Sequence, residues 1–265
     1  MTSKIRTNIL KCINSFGTGH LGGSLSIVEI LYVLYGKHMR YNPKEPNEEG
    51  RDRLIVSKGH AGPAVYSTLC AFGFFDESVL LTLNKPGTNL PSHCDMNKTP
   101  GIDMTTGSLG QGFSCAVGIA LGSKLRNDDA IIYSIIGDGE CQEGQIWEAA
   151  MFASHQHLNN LIGFLDYNNA QIDGKVSEVC DIAPIVDKWK SFGWNVIDVK
   201  NGNSCEEIDS AICKAKKEKN KPSMIIARTI KGYGVKFAVD SGVDNHSMGV
   251  SDDQLSEFMR GLGEI

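Results

Sequence analysis

Five short, almost wholly apolar runs punctuate the chain, at residues 54–56, 130–136, 161–165, 196–199 and 224–227. Between and around them lie longer stretches in which apolar residues return at helical spacing: 110–125, 145–156, 182–191 and 205–217. Strands that are apolar on both faces and alternate with helices predict an α/β fold, a doubly wound, mainly parallel sheet flanked by helices. Two further helices are expected ahead of the sheet, over 3–16 and 25–37. The polar tail from residue 251 reads as a short closing helix. No linker, internal repeat or low-complexity tract interrupts the pattern, so residues 1–265 are expected to form a single domain. The 29 glycines gather in the turns between elements, where α/β proteins keep their sites.

Composition adds mostly exclusions. With 41% hydrophobic and 22% charged residues the chain is globular, and its net charge of -5 includes only one short basic run, KAKKEKNK at 214–221. That run reads as a solvated helix end, and no nucleic-acid partner is expected. Ile5, Ile9 and Ile13 sit at helical spacing among lysines rather than in the continuous apolar core of a signal peptide. No stretch approaches the roughly 20 apolar residues of a membrane span. The eight cysteines are scattered with no C-x-x-C pair, which predicts reduced thiols in a cytoplasmic protein without a membrane partner.

The chemistry starts at SIIGDGECQEG, residues 134–144, where an apolar run ends in Gly-Asp-Gly and restarts as a helix. A glycine turn after a strand ordinarily receives a phosphate, yet Asp138 would repel one. Asn168 follows the next apolar run at a separation of one strand–helix–strand unit. If the two strands are neighbours, Asp138 and Asn168 emerge at one sheet edge. A carboxylate, an amide oxygen and a loop carbonyl then offer the hard oxygen set that suits Mg²⁺. On this reading Asp138 holds a cation that faces the phosphate, while Gly137 and Gly139 let the backbone approach. Two alternatives stand beside it: a nucleotide-binding turn with Asp166 as the ribose acid, and a plain turn.

Four of the seven histidines occupy glycine-, proline- or polar-rich turns: His20 in GTGHLGGS, His60 in SKGHAGP, His93 in LPSHCD and His246 in DNHSMG. Such turns admit a ligand closely. His38, His155 and His157 read as structural, and no Cys/His cluster suggests zinc. In TTGSLGQGFSCAVGIALG, residues 105–122, the loop Gly107-Ser108-Leu109 is the part that can touch a cofactor, and the small-residue helix after it packs on the sheet.

Taken in order, GTGHLGGSLS, RDRLIVSKGHAGPAVYSTL, LPSHCD with PGIDMTTGSLGQGFSCAVGIALG, GDGECQEGQIWEAA and DYNNAQIDG resemble transketolase from about residue 10 to 250. The resemblance implies thiamine diphosphate with Mg²⁺ (or Ca²⁺), the metal held by Asp138, Asn168 and the backbone carbonyl of Ala170. It places His60, Gly107, Ser108, Leu109, Gly139 and Asn168 on the cofactor. His20, His93 and His246 fall to the sugar, and Glu143 lies near a partner domain. Leu21 and Ser108 stand where prolines are common, and Ser247 where glycine usually follows the histidine, which touches substrate preference. Transketolases are more than twice as long, so this chain looks like the N-terminal subunit of a split enzyme. Such a subunit is expected to need a C-terminal transketolase subunit carrying the pyrimidine-binding domain, in an α2β2 assembly acting on sugar phosphates. The rivals are a subunit of another thiamine diphosphate enzyme, such as a 2-oxo acid dehydrogenase, a non-catalytic binding module, and a Rossmann dehydrogenase.

Overall fold

Each apolar run becomes a strand: β1 (Arg53–Val56), β2 (Ile132–Gly137), β3 (Leu161–Tyr167), β4 (Asn195–Val199) and β5 (Ser223–Arg228). They form one sheet of order β1-β2-β3-β5-β4 in which every pairing is parallel. This computed structural model describes residues 1–263. The helices are α1 (Thr2–Phe16), α2 (Gly22–Leu25), α3 (Val28–Val33), α4 (Gly62–Ala71), α5 (Gln111–Arg126), α6 (Gly144–His155), α7 (Val176–Val179), α8 (Ile185–Ser191), α9 (Cys205–Ala215), α10 (Lys236–Asp240) and α11 (Asp252–Gly261).

Side chains alternate along each strand, so the apolar runs feed two separate cores. Val56, Tyr133, Ile135, Ile162, Phe164 and Ile225 pack beneath α1, α3, α4 and α9. Ile55, Ile132, Ile136, Leu165, Met224 and Ile226 pack beneath α5, α6 and α8. In the second core Trp189 of α8 is fully buried and meets Trp194 edge-on, with ring centroids 5.0 Å apart. Truncating such a ring costs about 3–5 kcal/mol.

The differences from the expected boundaries have local causes. β2 starts at Ile132, because the amides of Ala130 and Ile131 donate to the carboxylates of Asp128 and Asp52 instead of a neighbouring strand. The helix expected over 25–37 breaks into α2, α3 and a wider turn at Leu34–His38. At the break the Ser26 carbonyl accepts from Asn203 and the Ser26 hydroxyl donates to Asp166. α8 starts at Ile185, since the position before Pro184 disfavours helix. α4 is hidden from the pattern because most of its faces are buried, leaving no polar stripe to mark a period. The basic run is not wholly solvated: α9 stops at Ala215, and half-buried Lys216 donates to the His38 carbonyl at 3.0 Å. All eight cysteines are free thiols, and no helix among the described residues is long and apolar enough to cross a membrane.

Candidate active site

The turns that follow β1, β2, β3 and β5 meet at the carboxyl edge of the sheet around a cavity of about 390 Å³. Strand register decides the first contact. Gly137 of β2 lies beside Asp166 of β3, so the residues just beyond them emerge together. Asp138 Oδ2 accepts from the amides of Asn168 at 2.9 Å and Asn169 at 2.5 Å, and its Oδ1 from Gly139 at 2.8 Å. Of these amides only Gly139 belongs to the glycine turn that would face a pyrophosphate, and the aspartate takes it, which counts against a nucleotide-binding turn.

Burial, and then the Asp166 charge, raise Asp138 to about 6 against these donors. Asn168 is oriented by its neighbours: its Nδ2 donates to Asp166 at 3.0 Å, and its Oδ1 accepts from Ala170 at 3.1 Å. The amide oxygen is thereby turned away from the Asp166 carboxylate. Asp138, Asn168 and the Ala170 carbonyl offer the carboxylate, amide and carbonyl oxygens that would suit a hard cation such as Mg²⁺ or Ca²⁺.

Beneath this set Asp166 collects four donors: Ser26, Lys58, Asn168 and Thr229. Lys58 Nζ lies 2.6 Å from Asp166, both side chains are buried, and the ammonium also donates to the Gly23 carbonyl at 2.7 Å. Lys231, buried, donates to the Ala170 carbonyl and to His246 Nδ1, each at 3.4 Å. Burial and the Lys58 charge lower it to about 8, with Asp138 and Asp166 opposing.

The four turn histidines come together. Ring centroids separate His20 from His60 by 5.4 Å, from His93 by 5.4 Å and from His246 by 5.5 Å, and His60 from His246 by 5.1 Å. Two glycines allow this approach. A Cβ on Gly59 would stand 2.8 Å from the Gly107 amide, and one on Gly22 would collide with Asn245 Oδ1. Burial is the leading cause that drives all four rings toward the neutral form, His246 to about 4; nearby lysines and rings add to it for His20, His60 and His246, while burial acts alone on His93. Among the described residues the rings of His20, His60 and His93 have no hydrogen-bond partner, yet all line the cavity. Neutral imidazoles with free nitrogens can bind hydroxyls and shuttle protons.

Of the residues singled out in the sequence, His20, His60, His93, Gly107, Leu109, Gly137, Asp138, Gly139, Glu143, Asn168, Ala170 and His246 line this cavity. Ser108 does not; its side chain is exposed. Sequence reasoning misses Lys58, Glu140 and Lys231, and reads Asp166 only as a ribose acid. Lys58 carries the one available signal, standing beside the Gly59-His60 turn. His38 keeps a structural role, its Nε2 2.7 Å from Asp209. No zinc cluster is visible in the sequence, yet the fold brings potential ligand atoms of His38, Asp209 and Cys213 within 4.8 Å of one another.

With this geometry in view, residues 1–264 match the family described as transketolase, thiamine diphosphate binding domain. The chain belongs to the transketolases, as an N-terminal subunit. It is 51% identical to the 6-deoxy-6-sulfo-D-fructose transketolase subunit SqwG of a Clostridium species, over 94% of this chain and 90% of that protein. It is 36% identical to one of the subunits of the apulose-4-phosphate transketolase of Phocaeicola vulgatus, over 99% of this chain and 92% of that protein. Against single-chain relatives it spans much less: transketolase 1 of Candida albicans is 34% identical, with only 40% of its length covered. The solved transketolase of Pichia stipitis with sedoheptulose 7-phosphate superposes with a TM-score of 0.91 at 31% identity, over 99% of this chain and 40% of that one. A transketolase subunit of this kind belongs to a two-chain enzyme that transfers ketol groups.

Proposed function

We propose that this chain, joined by a C-terminal subunit, moves a two-carbon ketol unit from a ketose to an aldose phosphate with thiamine diphosphate and Mg²⁺. The observation that supports the reading is the pairing of carboxylate and amide oxygens with four imidazoles, driven toward the neutral form, in one cavity. Asp138, Asn168 and the Ala170 carbonyl would hold the cation against the cofactor's diphosphate. His60, Gly107, Leu109, Gly137 and Gly139 would pack along the cofactor, and Ser108 would take part through its backbone alone. Bound thiamine diphosphate supplies the carbanion chemistry that breaks and remakes a carbon–carbon bond beside the ketose carbonyl. His20, His93 and His246 would orient the sugar hydroxyls and carry protons at their free ring nitrogens. Glu143, exposed at the cavity mouth, would face the partner subunit. An α2β2 assembly fits a site completed by a second chain, and a cytoplasmic setting fits eight free thiols.

The donor is proposed to be a ketose ending in an anionic group. Both two-chain relatives are named for such sugars or for close variants, and the sulfonated ketose is the first candidate at 51% identity. Purified chain mixed with its C-terminal partner, assayed with 6-deoxy-6-sulfo-D-fructose and with xylulose 5-phosphate, tests this. Ketol transfer that needs both chains and is abolished by EDTA is expected. Turnover by this chain alone, or indifference to EDTA, rejects the reading.

A further inference from the structure

Glu140 has no place in the roles assigned above, yet it is one of the most deeply enclosed acids in the molecule, 2% exposed. Its partners come from three separate turns. Oε1 accepts from the Ser57 hydroxyl and from the Gly110 amide at 2.8 Å, and Oε2 accepts from the Gly137 amide at 3.0 Å. Ser57 is fixed in turn by the Phe113 amide, which donates to its hydroxyl at 2.9 Å. No lysine, arginine or histidine among the described residues touches the carboxylate, so its donors are all uncharged.

A buried carboxylate without a contacting cation is costly unless hydrogen bonds satisfy its oxygens. Here they do. Ser57 leads directly into Lys58 and His60, Gly110 closes the loop that carries Gly107 and Leu109, and Gly137 precedes Asp138 and Gly139. Those three turns lie far apart in sequence and form adjoining walls of one cavity. Only a group with several acceptor sites can receive a hydroxyl and two amides together, and a carboxylate offers about four.

We infer that Glu140 is a positioning residue that ties the 57–60, 107–110 and 137–139 turns into a preformed cofactor cleft. It does so without contact to the reacting atoms. The inference rests on the thiamine diphosphate reading for its binding consequence, but the tying of the three turns can be measured without any cofactor.

Two variants test it. E140Q keeps size and shape but presents amide hydrogens to backbone donors, leaving at least one N–H unpaired. S57A removes one of the three donors and leaves the carboxylate in place. In the cofactor-free full chain, hydrogen exchange of E140Q should accelerate in peptides covering the three turns and stay unchanged across β5. With the C-terminal subunit present, thiamine diphosphate in saturating Mg²⁺ should bind about tenfold more weakly to E140Q, and about threefold more weakly to S57A. Affinity within twofold of wild type for E140Q, or acceleration spread evenly over the sheet, overturns the inference. Should E140Q not fold, S57A decides: wild-type exchange in the three turns overturns it, and selective acceleration supports it. If wild type itself takes up no thiamine diphosphate, the proposed function fails, while the exchange pattern still decides the role of Glu140.

Discussion

The floor and the wall of the cavity are built in opposite ways. On the floor Asp138, Asp166, Asn168 and Lys58 are joined by short hydrogen bonds, and Asp166 alone receives four. On the wall His20, His60, His93 and His246 touch ring to ring, and three of them have no hydrogen-bond partner among the described residues. A cation and a diphosphate need fixed, preorganised charges, because reorganisation at binding would weaken the site. A sugar whose hydroxyls must be gripped and whose protons must move needs uncommitted donors and acceptors. The contrast separates holding from handling.

Substitutions on the two sides should therefore fail differently. The largest effect is expected for Asp138→Ala, which removes the only carboxylate in the oxygen set. Transfer activity with the partner should drop by more than about 10³, with a parallel loss of Mg²⁺ dependence seen in cofactor titrations. Lys58→Met should act through stability, since it leaves Asp166 buried without its counter-charge. A loss of about 3–5 kcal/mol is expected in denaturant melts of the cofactor-free chain. An unchanged melting curve would show that the floor is not the tightly coupled unit described.

Wall substitutions should leave stability nearly alone. His20→Ala or His93→Ala should lower kcat by about 10²–10⁴ while thiamine diphosphate affinity and melting temperature barely move. If cofactor affinity fell as much as turnover, the division between wall and floor would dissolve. Acidity gives a smaller test. Asp138, lifted to about 6 by burial and then by Asp166, is ionised above that value and protonated below it. A proton then competes with the cation, so Mg²⁺ affinity should fall by up to about tenfold for each pH unit below 6, and hold steady above it. The smallest effect is assigned to Ser247→Gly, a change of less than about tenfold in the kcat/KM ratio between sulfonated and phosphorylated donors.

The strands are legible because a sheet covered on both faces demands short apolar runs that end in glycine- or polar-rich turns and alternate with helical segments. The Gly-Asp-Gly turn with Asn168 is legible because one strand–helix–strand unit brings two turns to one edge whatever the intervening residues are. The histidines stand out because glycine turns admit ligands. α4 escapes notice because enclosure on most sides erases periodicity.

The layered α/β architecture, the Asp138–Asn168 pair and the candidate histidines follow from period, spacing and local turn chemistry, which are written into the residue order itself. The tertiary structure alone decided that four histidines share one wall, that Lys58 and Asp166 pair 108 residues apart, and that Glu140 joins three turns. Those contacts are fixed by how strands order in the sheet and how far each turn reaches across its edge. No local pattern encodes that distance, so only the folded chain can supply it.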